Sequence, residues 1–295
     1  MIYSSYPRGY TIKEDHMDTT EAINAFKKYE MTNHKEGTRL GYVQFLTLFQ
    51  KTFDSRIVES VSVDEISQFL ESYTTNVAKT TRRLRYSQVK AFFNFLISEC
   101  SLPIQNPCDH PIVAKQYKNP RQAARKILEK EVVDEFIYST TCARDRLIIE
   151  LQARCGLRVG EVLKLKVSDV TDRKLIIQEP KSGKESEIAF IPEQIVKRVA
   201  EYIAANNLGP DDHLFPVCYS TIRNLINRLA DKFHIKVSPH DFRRHSATYA
   251  SRNGVPLEIV SKVLLRHHDL KTTQVYLGKI NDSEAIRWMD VLHGK

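Results

Sequence analysis

Residues 240–248 read His240-Asp241-Phe242-Arg243-Arg244-His245-Ser246-Ala247-Thr248. Residues 264–276 read Leu264-Leu265-Arg266-His267-His268-Asp269-Leu270-Lys271-Thr272-Thr273-Gln274-Val275-Tyr276. In the first stretch a helical turn points His240 and Arg243 the same way. In the second, a histidine precedes a tyrosine by nine residues. A third stretch, Cys155-Gly156-Leu157-Arg158-Val159-Gly160-Glu161-Val162-Leu163, ends one helix at a glycine and opens another at an arginine, with a glutamate one turn on. Singly, each has an ordinary explanation. An Arg–Glu pair one turn apart is usually a solvated ion pair worth roughly 0.2–0.5 kcal/mol. A histidine caps or packs, and a tyrosine on an amphipathic helix packs. Only their order along the chain discriminates.

Around these stretches lies a chain of 295 residues, long enough for two ordinary cores. It is 42% hydrophobic with no apolar run able to span a bilayer, so no membrane partner is expected. The opening residues 1–18 read as a flexible arm without the apolar stretch of a secretory signal. A net charge of +8 favours a polyanionic partner. Cys100, Cys108, Cys142, Cys155 and Cys218 are scattered, with no CxxC spacing, which argues for reduced thiols and against a zinc site or disulfide framework.

Residues 19–108 read as helices only. Asp18 and Glu21 frame a first helix with Ile23, Phe26 and Tyr29 on its apolar side. A second begins near Thr38, with Leu40, Val43, Leu46, Leu48 and Phe49 as its apolar face. Ser62 and Glu65 form a capping box for a third. Thr80 to Ser98 turns Leu84, Val89, Phe92, Phe93, Leu96 and Ile97 toward a core, with Arg82, Arg83, Arg85 and Lys90 on its opening turns. Pro103, Pro107, Pro111 and Pro120 then break the pattern, and residues 109–126 read as a linker. Residues 127–295 form a second unit. It starts helical, passes through a hairpin of KLIIQ and SEIAFIP around Glu179–Lys184, and returns to helices at 193–207, 221–233 and from Phe242 onward.

The order Arg158, Lys181 in a β-turn, His240-x-x-Arg243, His267 and Tyr276 resembles the signature of tyrosine recombinases of the phage integrase type. The family's T-G-L-R-x-S/A-E-L box is matched from Cys155 to Val162, its hairpin lysine by Lys181, its H-x-L-R-H-x-x-A-T box by His240 to Thr248, and its L-G-H-x-x-x-x-T-T-x-x-Y box by Leu265 to Tyr276. Residues 37–42 and 79–84 resemble the two DNA-facing helices of the family's N-terminal domain. Two departures stand out. Arg266 replaces the usual glycine, and Arg244 a frequent second histidine.

The resemblance implies a mainly α fold with a small β-hairpin sheet. A helical core-binding (SAM-like) domain and a catalytic domain with a C-terminal helix would form a C-shaped clamp on DNA. It implies an enzyme that breaks and rejoins DNA through a 3′-phosphotyrosine and a Holliday junction, with no metal and no cofactor. Tyr276 would be the nucleophile. Arg158 and Arg243, planar and always charged, would hold the phosphoryl oxygens. Lys181 would protonate the leaving 5′-oxygen, with Lys184 the alternative at that turn. His240 would take the tyrosine proton, and His267 would donate to the phosphate. Glu161 would orient a cationic side chain. Arg266 would contact DNA, lower the pKa of His267, or stand in solvent.

Thr38, Arg39, Thr80, Thr81, Arg82, Arg85 and Lys90 are the expected DNA contacts, phosphates first. The last helix, carrying Ala285, Ile286, Trp288, Met289, Val291 and Leu292, would dock on a neighbouring subunit or pack on its own domain. The expected partners are double-stranded DNA with a short inverted-repeat site and further copies of the chain, a dimer per site and a tetramer in synapsis. The expected location is cytoplasmic, with the nucleoid. No added arm-binding domain is read, which points to a simple Xer-like recombinase. A non-catalytic DNA-binding relative and a type IB topoisomerase-like enzyme are the rival readings. The intact catalytic set argues against the first, and the DNA-facing helices with the apolar tail argue against the second.

Overall fold

Asp18 starts the first helix by a reciprocal cap. Its carboxylate accepts from the Glu21 N–H at 2.8 Å, and the Glu21 carboxylate accepts from the Asp18 N–H at 3.2 Å. In the computed structural model, which describes residues 16–34, 36–118, 127–180, 183–274, 277 and 282–293, this helix is α1 (Thr19–Asn33). It is followed by α2 (Glu36–Phe53), α3 (Val63–Tyr73), α4 (Lys79–Ser98) and the short α5 (Pro111–Gln116). Ser62 and Glu65 repeat the capping box at α3. The chain divides into two compact units, Met1–Gln122 and Ala123–Lys295.

The core of the first unit is aromatic. Phe92 meets Phe26 at 5.3 Å, Phe45 at 5.7 Å and Phe49 at 5.2 Å between ring centroids, all edge to face. Two expectations are corrected here. Leu40, Val43 and Leu84 are exposed rather than in the core. The opening turns of α2 and α4 meet through polar contacts instead, Gln88 Nε2 donating to the Gly41 carbonyl at 2.7 Å and Arg85 Nη2 to Gln44 Oε1 at 3.2 Å. Residues 109–117 belong to the first unit rather than to a linker. Val113 and Tyr117 are buried in its core, and Tyr117 stacks on Tyr86, whose hydroxyl donates to the Cys108 carbonyl. Pro107 and Pro111 start helices, Pro107 a 3-10 turn (Pro107–Asp109) and Pro111 the first turn of α5, where a missing N–H costs nothing.

The second unit is built around α7 (Ala143–Cys155), whose Leu147, Ile148, Ile149 and Leu151 are all buried. A helix buried on consecutive positions has neighbours on every side. Here α6 (Lys130–Ser139), α9 (Glu193–Ala205) and α11 (Pro239–Arg252) surround it. Between α8 (Val159–Val162) and α9 lies a three-stranded antiparallel sheet in the order β1 (Val170–Thr171), β2 (Lys174–Gln178), β3 (Ser186–Phe190). Its period-two alternation buries Leu175 and Ile177 on β2 and Glu187 and Ala189 on β3. Ile177 pairs with Glu187 in register, so one carboxylate faces inward.

The remaining elements are α10 (Tyr219–Lys232), α12 (Leu257–Ile259) running into a π turn at Val260–Leu264, α13 (Leu270–Gln274) and α14 (Asp282–His293). Trp288 of α14 sits against Gly254, where an added Cβ would come within 3.1 Å of the indole. Among the described residues no helix is long and apolar enough to cross a membrane.

Candidate active site

Helix α7 ends at Gly156, whose φ of +62° is left-handed and suits a residue without Cβ. Two residues on, Arg158 precedes α8, and Glu161 reaches back to it. The Glu161 carboxylate accepts from the Arg158 N–H at 2.9 Å and from Arg158 Nη1 at 2.5 Å.

Arg243, on the second turn of α11, is fully buried. Its Nη1 donates to the Gly156 carbonyl, and its Nη2 donates to the Leu265 carbonyl at 2.5 Å and lies 3.3 Å from His267 Nε2. One side chain therefore ties together the two turns that carry Arg158 and His267. A buried cation is tolerable only when so satisfied.

His267 follows the π turn. Its N–H donates to the Ser261 carbonyl at 2.9 Å, and its Nδ1 lies 2.9 Å from Thr273 Oγ1, which donates to Ser261 Oγ at 2.8 Å. Because Thr273 spends its proton on Ser261, the imidazole balances best with Nδ1–H donating to Thr273 and Nε2 accepting from Arg243. Burial, then Arg243, Arg158, Arg266 and His240, push the His267 pKa down to about 4, so the ring is neutral near pH 7. Burial pushes the Glu161 carboxyl up, but Arg266, the Arg158 N–H, Arg158 and Arg243 outweigh it and hold the group below its ordinary value. Glu161 is an anion between cations.

His240 lies exposed in the first turn of α11. Arg158, His240, Arg243 and His267 line one cleft of about 530 Å³, together with Val159, Tyr219, Pro239 and Thr272. Three separate stretches of chain thus bring two guanidiniums and two imidazoles to one opening able to hold a phosphodiester. Tyr219 and Thr272 were not singled out in the sequence. Thr272 lies inside the matched box, but nothing in the local pattern around Tyr219, the first residue of α10, signals its place.

Lys181 and Tyr276 lie outside the described residues. The flanks of the hairpin turn are described. Glu179 and Gly183 both have positive φ, the Glu179 N–H donates to the Glu185 carbonyl, and Lys184 is exposed. Arg244 is buried and pairs with Asp241 at 3.1 Å. Arg266 is not in solvent. Its side chain is only 4% exposed and faces Glu161 and Glu187, at a backbone φ of +54°.

In the first unit Thr38 and Thr80 are exposed, and Arg39 and Thr81 are half-buried. The other expected contacts are engaged internally. Lys90 pairs with Asp109, Arg85 donates to the Tyr73 carbonyl and covers its ring at 4.5 Å, and Arg82 covers Tyr117 at 5.3 Å.

Against known proteins, the phage integrase family model matches residues 126–282, and the phage integrase N-terminal SAM-like domain model matches residues 23–100. The chain belongs to the phage integrase family.

Curated relatives of this integrase include a tyrosine recombinase of Pseudothermotoga lettingae, 26% identical over 82% of this chain and 85% of the relative. Another is a tyrosine recombinase XerA of Thermococcus onnurineus, 32% identical over 53% and 56%. Among solved structures, a Tn1549 transposon integrase bound to transposon right-end DNA covers 94% of this chain and 100% of its own, at 16% identity and a TM-score of 0.74. A lambda integrase dimer bound to a core site covers 88% and 95%, at 17% identity and 0.71. At these identities the structural likeness concerns the fold. The integrase is a tyrosine recombinase, an enzyme of site-specific DNA recombination that cleaves and rejoins DNA.

Proposed function

We propose that this integrase exchanges strands by transesterification, with Tyr276 as nucleophile and Lys181 as general acid. The Tyr276 oxygen attacks the scissile phosphorus while its proton passes to His240. The bond from phosphorus to the 5′-oxygen breaks, and Lys181 supplies the proton that the leaving oxygen needs. The product is a 3′-phosphotyrosine that keeps the ester energy, so rejoining needs no external source. Attack by the 5′-hydroxyl of the partner strand reverses these transfers, and one pair of exchanges leaves a Holliday junction. Arg158 and Arg243 neutralise the non-bridging oxygens as charge builds on them. A phosphate between them offsets the positive field that holds His267 neutral, and the ring can then take a proton and donate to the phosphate.

The observation that carries this reading is the convergence of Arg158, His240, Arg243 and His267 on one cleft. The substrate is double-stranded DNA with a short inverted repeat, bound by a dimer and synapsed as a tetramer. In support, lambda integrase has been solved as a dimer on a core site and as a tetramer on a Holliday junction. In α14, Ile286, Met289 and Val291 are exposed while Trp288 faces Gly254, which leaves an apolar face available to a neighbouring subunit. The enzyme works in the cytoplasm, with the nucleoid. Thr38, Arg39, Thr80 and Thr81 contact the DNA backbone first, with Arg82, Arg85 and Lys90 beside them.

The test is a nicked suicide substrate bearing the cognate site. Wild type gives a covalent protein–DNA adduct that survives SDS, and Tyr276→Phe gives none while still binding. An adduct persisting in Tyr276→Phe refutes the nucleophile. Binding with no adduct from wild type favours a non-catalytic relative.

A further inference from the structure

The inward-facing carboxylate on β3 and the arginine in the family's glycine position meet. Arg266 Nη2 donates to Glu161 Oε2 at 2.7 Å, its Nη1 donates to the Leu264 carbonyl at 2.9 Å, and its Nε lies 3.7 Å from Glu187 Oε2. Arg266 and both carboxylate side chains are more than nine-tenths buried. Position 266 is left-handed, so the arginine occupies a conformation that favours glycine, and its side chain is held in place by charge.

Glu161 sits at the centre of this arrangement. Its Oε1 takes Arg158 Nη1, and its Oε2 takes the Arg158 N–H and Arg266, while Arg243 Nη1 stays 3.9 Å away. With Arg266 absent, Oε2 would lose its nearest cation and Arg243 would be next in reach. A carboxylate closed onto Arg243 competes with phosphate for that guanidinium.

We propose that Arg266 is a positioning residue for the phosphate-binding arginines: it engages Glu161 without itself lining the cleft, keeps Arg243 available to the scissile phosphate, and ties the His267 turn to strand β3 through Glu187. This rests on the strand-cleavage reading above.

The experiment compares wild type, Arg266→Gly, Arg266→Lys and Arg266→Gly/Glu187→Gln. It measures DNA affinity and single-turnover adduct formation at saturating suicide substrate. Arg266→Gly suits the left-handed backbone and is expected to bind within threefold of wild type but to cleave at least tenfold more slowly, since misplaced catalytic groups cost on the order of a hundredfold per ångström. Arg266→Lys recovers part of the rate because it restores the charge. Glu187→Gln in the glycine background recovers thermal stability and not rate, since Glu161 remains unheld. Unchanged cleavage in Arg266→Gly overturns the proposal. Lost affinity with an unchanged saturated rate also overturns it, by making Arg266 a DNA contact. A wild type that forms no adduct refutes the strand-cleavage reading instead. The proposal is then decided by a urea-unfolding cycle of Arg266→Gly with Glu161→Gln, where non-additive losses support it and additive losses overturn it.

Discussion

Replacing Gly156 by alanine tests how closely the site depends on one backbone turn. Gly156 has a φ of +62°, where a side chain costs about 1 kcal/mol or more. The new Cβ would stand 3.0 Å from the Leu264 carbonyl oxygen, 3.1 Å from Leu264 Cγ and 3.2 Å from its Cδ1. The nearest of these is backbone, which cannot rotate away, so relief must come from shifting the segment that leads to His267. Overpacking of this kind costs about 1–3 kcal/mol, giving a total of about 2–4 kcal/mol. That is a large share of the roughly 5–15 kcal/mol that holds a domain together. Trp288 is the only tryptophan and lies in the second unit, so its fluorescence during urea unfolding reads the stability of that unit. Catalysis suffers as well, because Arg243 bonds both the Gly156 and Leu265 carbonyls, and we expect at least tenfold slower adduct formation by folded protein. A loss below about 0.5 kcal/mol, the size of an ordinary surface substitution, would refute the argument.

Arg158→Ala and Arg243→Lys should each slow adduct formation about a hundredfold or more while DNA binding stays within a few-fold, and unchanged turnover in either would remove that arginine from the phosphate site. His267 sets a pH dependence. Its folded pKa of about 4 lies below its ordinary 6.5, so the contribution of the neutral ring is complete above pH 6.5 and is lost as pH falls toward 4. The loss is at most about 3 kcal/mol. Urea unfolding of wild type between pH 7 and pH 4.5 should show this decline, and His267→Asn should show less of it. Equal declines in the two proteins would mean that His267 does not titrate as described.

Much of the architecture is legible in local chemistry. The caps at Asp18 and Ser62, the alternation of KLIIQ and SEIAF and the glycine before Leu157-Arg158 are short-range features, and such features act before tertiary packing exists. Leu40, Val43 and Leu84 follow helical periodicity yet remain exposed, because periodicity marks an apolar face without naming what covers it. The prolines from 103 to 120 look like a linker until Val113 and Tyr117 are seen inside the first core.

The candidate site divides the same way. Arg158, His240, Arg243 and His267 stand out in the sequence because their order resembles the tyrosine recombinase signature, and the fold brings them to one cleft. Which of their neighbours matter was decided only in three dimensions. Arg266 read as a solvated, DNA-facing or pKa-shifting charge, and Glu187 as one residue of a strand. They lie 79 positions apart (266 − 187) and meet in a buried ion pair. Local sequence determines helix ends and strand alternation through short-range sterics and hydrogen bonds. Partnership between distant charges is decided by where the folded chain excludes water, and no stretch of sequence carries that information by itself.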